Sequence, residues 1–236
     1  MYINGVKVSK GGKEVSENDK IEIIGDVNPY VSKGGLKLEK AIKEFELIVI
    51  DKNVIDIGSS TGGFTDCLLK NGAKKVYAID VGCGQMVKSL KENSKVVLME
   101  NTDFRNLSRE DVGDAEMIVG DVSFISLLKL LPKVCELNID VLVLLIKPQF
   151  ECGIEMAKKY KGVVKDKNIH KEVLKNVING FKTYGYLCEK ATFSPITGGD
   201  GNIEYIALFK KSDRTKNTDF NIDIFKLVDN AFDNFI

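Results

Sequence analysis

The hydrophobic and polar positions of the chain alternate between two periods, which predicts where strands and helices lie. Short, nearly continuous apolar runs that are typical of buried strands occur in "NVIDIG", "KVYAID", "KVVLME", "EMIVGDVSF" and "VLVLLIKPQF". Apolar residues recur at helical spacing in "GGFTDCLLKNG", "GQMVKSLKEN", "SLLKLLPKVCEL" and "NIHKEVLKNVINGFKTYG". Such alternation predicts an α/β fold whose mainly parallel sheet is covered by helices on both faces.

The two ends of the chain depart from this alternation. "YINGVKV" and "KIEII" predict a small β-ribbon over residues 1–26, followed by a linker at 27–35 and a helix at "LKLEKAIKEFEL". "YLCEKATFSP" and "NIEYIALFKK" are joined by "ITGGDGN" without a helix, which predicts an antiparallel hairpin at the sheet edge. Residues 36–211 therefore form the main domain, and residues 212–236 a helical tail to which the pattern assigns no role.

The composition bounds the size of the core, the overall charge and the presence of membrane or signal segments. The chain has 236 residues, 44% of them hydrophobic, which suffices for one ordinary core with an appendage. Lys plus Arg and Asp plus Glu number 34 each, so a nucleic acid or an anionic membrane would have to bind a local patch. No apolar run approaches the length of a membrane span, and the N-terminus lacks a signal-peptide layout, so we expect a cytoplasmic protein.

Cysteine and histidine spacing gives no candidate metal site. The cysteines form no CxxC pair, and the lone His170 leaves no Cys/His cluster to hold a metal. Scattered thiols in apolar surroundings are usually reduced core residues of an intracellular protein. The thiols are Cys67, Cys83, Cys135, Cys152 and Cys188.

The segment "VIDIGSSTGGFTDCLLKNG" begins like a strand and ends like a helix, with an acid, glycines and small hydroxyl residues between. In a doubly wound sheet this turn is the usual ligand contact. Its glycines, Gly58, Gly62 and Gly63, lack the G-x-G-x-x-G spacing of a dinucleotide site. Asp56 would repel a phosphate and attract an ammonium group, which favours an amino-acid ligand. The alternative is that the glycine pair serves only packing and the acid only caps a helix.

Two later strand ends extend this pattern. Asp80 ends the next strand, where related sheets place an acid that accepts hydrogen bonds from ribose hydroxyls. Asp103 follows the third strand and is a candidate for contact with an adenine amino group. An amino acid, a ribose and an adenine along three successive strand ends describe S-adenosylmethionine. The predicted cofactor contacts are Asp56, Gly58, Ser59, Ser60, Gly62, Gly63, Phe64, Asp80, Val81, Asp103 and Asp121.

Four charged residues recur on the same side of the predicted sheet. Asp121 and Lys147 end apolar strands, Glu204 begins one, and Lys37 lies on the helix before the first strand. A lysine followed by Pro148 at the end of an apolar strand is hard to explain by solubility. The residues themselves leave two interpretations open, a catalytic group or a structural set of ion pairs.

Seven motifs, in order and spacing, resemble the TlyA family: "YVSKGGLKLEKAI", "DIGSSTGGFTD", "DVGCGQ", "DVSFISL", "LIKPQFE", "GVVKD" and "GNIEY". Members of this family are described as hemolysin-like proteins and as ribosomal RNA 2′-O-methyltransferases with an FtsJ-type, RrmJ-like catalytic domain. The similarity runs from about Met1 to Lys210. It implies a seven-stranded, Rossmann-like methyltransferase sheet, with a catalytic tetrad that falls on Lys37, Asp121, Lys147 and Glu204.

The resemblance also implies a partner, ribosomal RNA or ribosomal subunits, with cytidine in 16S or 23S rRNA as the expected nucleotide. Family members begin with an S4-type RNA-binding domain whose basic helical half precedes a β-ribbon, and "MYINGVKV" matches the first strand of that ribbon. Residues 1–26 are therefore interpreted as a partial S4-like domain. Residues 1–37 contain six lysines against five acids, so we expect weaker RNA binding than with a complete S4 domain.

A 2′-O-methyl transfer requires a base, because a ribose hydroxyl must lose its proton as it attacks the sulfonium methyl. We hypothesise that Lys147 is that base and that Lys37, a second ammonium group, makes its deprotonation easier. Asp121 would orient Lys147 and Glu204 would hold Lys37, and the sulfonium leaving group makes a metal unnecessary. Two other classes stay open: an RNA-binding or ribosome-assembly protein with an inactive methyltransferase fold, and a membrane-active hemolysin.

Overall fold

The computed structural model describes residues 2–8, 13–22, 28–212 and 222–236. The strands in these ranges are β1 (Tyr2–Ile3), β2 (Val6–Lys7), β3 (Ile21–Glu22), β4 (Asn53–Ile57), β5 (Lys75–Ile79), β6 (Val96–Met99), β7 (Met117–Gly120), β8 (Val141–Ile146), β9 (Tyr186–Phe193) and β10 (Tyr205–Lys211). The helices are α1 (Gly34–Phe45), α2 (Gly63–Lys70), α3 (Lys88–Lys91), α4 (Leu131–Leu137), α5 (Pro148–Glu151), α6 (Ile154–Lys159), α7 (Lys167–Thr183) and α8 (Ile224–Phe235). Two 3-10 turns cover Phe104–Asn106 and Leu127–Lys129.

Seven strands form one sheet in the order β6-β5-β4-β7-β8-β10-β9. Strands β4 to β8 pair in parallel, and β10 pairs antiparallel with both β8 and β9. The order along the chain reverses between β4 and β7, so the carboxyl ends of these two strands flank the crevice in which such sheets bind ligands. The predicted parallel sheet and its antiparallel edge hairpin are confirmed.

Helices cover both faces of this sheet. On one face, Leu38 of α1 and Leu68 of α2 pack into a cluster with the apolar side chains of β4 and β8. On the other face, Leu131 of α4, Phe181 of α7 and Phe232 of α8 join a larger cluster. Burial of these apolar side chains, at about 1.5–3 kcal/mol for each large one, holds the strand ends in fixed relative positions.

The N-terminal segment forms a second, three-stranded sheet in the order β2-β1-β3. "YINGVKV", predicted as a single strand, folds as a hairpin because Asn4 and Gly5 adopt positive φ angles of 51° and 79°. Two successive positive φ angles are what a type I′ turn requires, and Asn-Gly favours it strongly. The prediction missed this signal. Parts of the predicted ribbon, linker and tail, at 9–12, 23–27 and 213–221, lie outside the described residues.

Several predicted element bounds differ from the structure. Helix α1 begins at Gly34, within the segment predicted as a linker. In "GQMVKSLKEN" only Lys88–Lys91 is α-helical. Strand β8 ends at Ile146, because Pro148 lacks the N–H that a strand needs and instead opens the short helix α5. Lys147 therefore stands at a sharp strand-to-helix junction.

Candidate active site

The four charged residues predicted as a tetrad lie together at the carboxyl ends of β7 and β8. Lys37 Nζ donates to Glu204 Oε2 at 2.6 Å and to Asp121 Oδ2 at 3.1 Å. Lys147 Nζ lies 2.5 Å from the other carboxylate oxygen, Asp121 Oδ1. One carboxylate thus bridges two ammonium groups. The tetrad is assembled from α1, the residue after β7, the residue after β8 and the residue before β10.

Burial makes the charges of the tetrad interdependent. Lys37 and Lys147 are each 7% exposed, and Glu204 is 2% exposed. Burial alone would raise the pKa of Asp121, but the ammonium groups of Lys37 and Lys147 hold that pKa below its usual value. Burial alone would lower the pKa of Lys37, but Asp121 and Glu204 outweigh it and raise that pKa. Lys37 therefore stays protonated at neutral pH and acts as a fixed positive charge.

Lys147 has a further partner that the sequence analysis did not single out. Its Nζ donates to Ser123 Oγ at 2.9 Å. Ser123 follows Asp121 by two residues in "DVSF", so both partners of the lysine come from one short segment after β7. Two acceptors fix the direction of the Lys147 ammonium group, which a single ion pair would not do.

An exposed aromatic residue next to Ser123 was also missed. Phe124 is 90% exposed, and its backbone has a φ of 64°. A bulky residue in the left-handed region is uncommon and costs of order 1–3 kcal/mol, and such strain clusters at functional sites. The Phe124 ring lies 4.9 Å from that of Phe150, whose centroid is 5.8 Å from Lys147 Nζ. An aromatic pair therefore stands beside the buried lysine.

A cavity of about 690 Å³ follows the ends of β4, β5, β6 and β7. Asp80 lies at its wall, where Oδ2 accepts a hydrogen bond from Ser60 N at 2.8 Å and Oδ1 one from Gly82 N at 2.7 Å. Asp103 also lines the cavity, but Arg105 donates to both of its carboxylate oxygens, from Nε to Oδ1 at 3.0 Å and from Nη2 to Oδ2 at 2.6 Å. The side-chain hydrogen bonds from Arg105 lower the pKa of Asp103. We refer to this space as the strand-end cavity.

A second cavity of about 680 Å³ lies beside it, and we refer to it as the tetrad cavity. Its wall contains Lys37, the residues from Ser32 to Gly34 that lead into α1, and the loop between β9 and β10. Gly58, Ser60 and Asp121 line both cavities, so the two spaces meet at the tetrad. Of the remaining predicted cofactor contacts, Val81 lines the strand-end cavity, and Ser59, Gly63 and Phe64 line the tetrad cavity.

Two predicted cofactor contacts, Asp56 and Gly62, line neither of these cavities. Asp56 is fully buried, and its Oδ2 accepts a 2.6 Å hydrogen bond from Thr65 Oγ1. Burial raises the pKa of Asp56 to about 7, with smaller contributions from nearby acids. Gly62 has a φ of 98°, and a Cβ there would lie 2.3 Å from Leu90 Cδ1. Gly62 therefore leaves room for Leu90 of α3, which is the packing role that the sequence analysis gave as the alternative to a cofactor contact.

The two cavities fit S-adenosylmethionine on chemical grounds. The hydroxyl of Ser59 is buried at the tetrad cavity and has no hydrogen-bond partner among the described residues, which leaves it available to a ligand. The carboxylates of Asp80 and Asp121 suit ribose hydroxyls and a positively charged sulfonium. The fold and this site are those of an S-adenosylmethionine-dependent methyltransferase.

The chain belongs to the FtsJ-like methyltransferase family, whose profile matches residues 30–211. It is 44% identical to Hemolysin A of Brachyspira hyodysenteriae, over 89% of this chain and 88% of the relative. It is 40% identical to 23S rRNA (cytidine-2′-O)-methyltransferase TlyA of Campylobacter jejuni, over 82% of this chain and 75% of the relative. A solved structure from Streptococcus thermophilus superposes with a TM-score of 0.85 at 40% identity, covering 98% of this chain and 85% of that one.

Two further observations concern metal ligands and membrane-spanning helices. Among the residues that the structure describes, no group of three His, Cys, Asp or Glu side chains is arranged to hold a metal ion. Within the same ranges, no helix combines the length and the apolar character needed to cross a bilayer.

Proposed function

We propose that this protein transfers a methyl group from S-adenosylmethionine to the 2′-hydroxyl of a ribose in ribosomal RNA, with cytidine as the expected nucleotide. The observation that carries the proposal is the Asp121 carboxylate, which bridges two buried lysines where two cavities meet. A relative of the same family, at 40% identity, is named for 2′-O-methylation of cytidine in 23S rRNA. The proposal places the protein in the cytoplasm, where ribosomes are found.

Lys147 and Lys37 have different roles in activating the ribose hydroxyl. Lys147 first gives up one proton of its ammonium group to solvent, and its neutral amine then takes the proton from the 2′-oxygen, while Asp121 and Ser123 hold its Nζ in place. Lys37 keeps its own proton, because Asp121 and Glu204 raise its pKa, and stabilises the negative charge that develops on the oxygen. Bound S-adenosylmethionine supplies the electrophilic methyl group and a neutral thioether as leaving group.

The strand-end cavity is the proposed site for the adenosyl part of the cofactor. Asp80 has unused lone pairs beside the two bonds to backbone N–H groups, and these can accept from ribose hydroxyls. Asp103 and Val81 stand where the adenine would lie. Gly58 and the buried hydroxyl of Ser59 would hold the methionine part, and Asp56 beneath the turn is a further proposed contact to its ammonium group.

Ribose chemistry requires RNA as the substrate, since only RNA carries the 2′-hydroxyl. Phe124 supports a nucleic-acid acceptor, because an exposed aromatic ring on a strained backbone suits stacking on an unpaired base. The Phe124 ring contacts the Phe150 ring, which lies beside Lys147, so a base stacked on Phe124 would be close to Lys147.

The proposal is tested with 30S and 50S subunits isolated from a bacterial strain that lacks a methyltransferase of this family. The wild-type protein and methyl-labelled S-adenosylmethionine should introduce label into the rRNA of one or both subunits. Asp121→Asn, which removes the charge that bridges the two lysines, should introduce little. If the wild-type protein binds the cofactor but labels neither subunit, the proposed substrate is wrong.

A further inference from the structure

Helix α8 (Ile224–Phe235) lies beyond residue 211, where the match to the FtsJ-like profile ends. It is nonetheless firmly packed. Val228 and Ala231 are fully buried, and the Phe232 ring meets the His170 ring edge-on at 5.0 Å. Lys167 Nζ donates to Asp229 Oδ1 at 2.9 Å, which ties α8 to α7. A helix held by these contacts has a fixed position relative to the sheet.

The last helical residue, Phe235, forms part of the wall of the tetrad cavity. Its ring packs edge-on against Phe193 at the end of β9, with centroids 6.1 Å apart. The Phe193 ring is in turn covered by the ammonium group of Lys40 of α1, 3.7 Å from the ring centroid. Phe235 is therefore supported from behind by β9 and α1, while part of its surface faces the same cavity as Lys37 and Asp121.

The wall of the tetrad cavity contains residues besides those that we assign to the methylated ribose. Besides Lys37 and Asp121, its lining contains the Phe235 ring and Lys33, an exposed lysine before α1. An aromatic face suits a nucleobase, and an ammonium group suits a phosphate. The methylated ribose must itself lie at the tetrad, because its 2′-oxygen has to reach Lys147. The outer part of the cavity is left for the adjoining nucleotide.

We propose that Phe235 stacks on the base of the nucleotide next to the methylated one and that Lys33 pairs with its phosphate. Helix α8 is then a wall of the RNA site as well as part of the core. This inference rests on the proposed function, since it assigns part of the acceptor site of the same reaction.

The experiment compares two phenylalanines of the same helix. Phe225 is 56% exposed and lies 4.8 Å from the ammonium groups of Lys171 and Lys175 on α7, and it is not part of the tetrad-cavity wall. Phe235→Ala should raise the KM for the subunit that the wild type labels about 5- to 150-fold, the range expected for one base–aromatic stack. Its cofactor Kd, measured by calorimetry, should stay at the wild-type value. Phe235→Tyr keeps an aromatic face and should recover most of the lost affinity.

Phe225→Ala serves as the matched control and should leave the KM for the subunit unchanged. A Phe235→Ala protein that melts like the wild type and shows the wild-type KM would overturn the inference. An equal rise in KM for Phe225→Ala would also overturn it, because the effect would then belong to the helix in general. Failure of the proposed function is distinguishable, because the wild type itself would then label neither subunit.

Discussion

The two cavities that meet at Asp121 are built in different ways. The strand-end cavity is lined by residues between Ile57 and Leu130, and these follow β4, β5, β6 and β7 in regular order. The tetrad cavity draws on segments from Ser32 to Phe235, including α1, the turn after β4, the β9–β10 loop and α8. Parallel-sheet topology alone produces the first. The second needs contacts between distant parts of the chain, such as the ion pair of Lys37 with Glu204.

The strand-end cavity is assigned to the adenosyl part of the cofactor, and the Lys37 side of the tetrad cavity to the acceptor, so changes in these two regions should have separable effects. Changes at the two lysines of the tetrad should impair methyl transfer with little effect on cofactor affinity. Changes at the strand-end cavity should impair cofactor affinity first.

The largest effect is expected from Lys147. Lys147→Ala should slow single-turnover methyl transfer by about 10²- to 10⁴-fold, the usual contribution of acid–base catalysis. Lys147→Arg should be nearly as slow, because a guanidinium group keeps the positive charge but does not release its proton in the working pH range. Cofactor affinity, measured by calorimetry, should change little in both variants.

The two Lys147 variants also separate base catalysis from a structural role. If the lysine served only the ion-pair set around Asp121, Lys147→Ala would melt at a lower temperature and Lys147→Arg would stay active. Thermal melting and single-turnover rates of both variants distinguish these outcomes. An active Lys147→Arg would remove the assignment of Lys147 as the base.

A smaller effect, on cofactor affinity, is expected from a change of Asp80 in the strand-end cavity. Asp80→Ala loses a carboxylate that holds Ser60 N and Gly82 N and that we assign to ribose hydroxyls. Hydrogen bonds to a charged group contribute about 1.5–3 kcal/mol, so the cofactor Kd should rise roughly 10- to 150-fold. Asp111→Ala is the matched control, because Asp111 also accepts from a backbone N–H, at 2.7 Å, but lines neither cavity. Equal cofactor affinities for the two variants would place the ribose elsewhere.

The smallest effect concerns the stability contributed by Asp56. Its pKa is raised from 3.8 to about 7 by burial, so the folded state holds this proton more tightly than the unfolded state does. The group therefore stabilises the fold less and less as pH rises from about 4 to about 7. Asparagine mimics the protonated acid, so Asp56→Asn should melt above the wild type at pH 8 and close to it near pH 4. Each kcal/mol corresponds to about 2–4 °C for a chain of this size.

The Asp56→Asn variant also tests whether Asp56 interacts with the ammonium group of the cofactor. If the cofactor's ammonium group approaches this carboxylate, bound S-adenosylmethionine should raise the melting temperature of the wild type at pH 8 more than that of Asp56→Asn. Equal increases would mean that Asp56 supports the turn through Thr65 and makes no contribution to the cofactor's charge.

Sequence patterns predicted the features that depend on local order. The strands from β4 to β8 are covered on both faces of a parallel sheet, so their nearly continuous apolar runs can be recognised in the sequence alone. The sequence singled out the four tetrad residues through three charged residues at strand ends and through the family resemblance, which also implied Lys37, and their catalytic roles stay a prediction. Their mutual contacts, such as the bridge from Lys37 to Asp121, depend on tertiary packing and were not predictable from spacing.

Features that depend on distant contacts were missed or assigned a different cause. Gly62 faces Leu90, which no local pattern indicates. The exposure and positive φ of Phe124 arise from the path of the chain after β7 and have no signature in "DVSF". Helix α8 has an apolar face that predicts packing, but only the fold shows that its last turn reaches the tetrad cavity.

The position of the transferred methyl group shows whether the tetrad methylates a ribose hydroxyl. Subunit rRNA labelled by the wild-type protein is digested to nucleosides, and mass spectrometry assigns the added 14 mass units of a methyl group to the sugar or to the base. The methyl group should lie on the ribose 2′-oxygen, and Lys147→Ala should form this product about 10²- to 10⁴-fold more slowly. A methyl group on the base, or an unchanged yield of the ribose product from Lys147→Ala, would contradict this prediction.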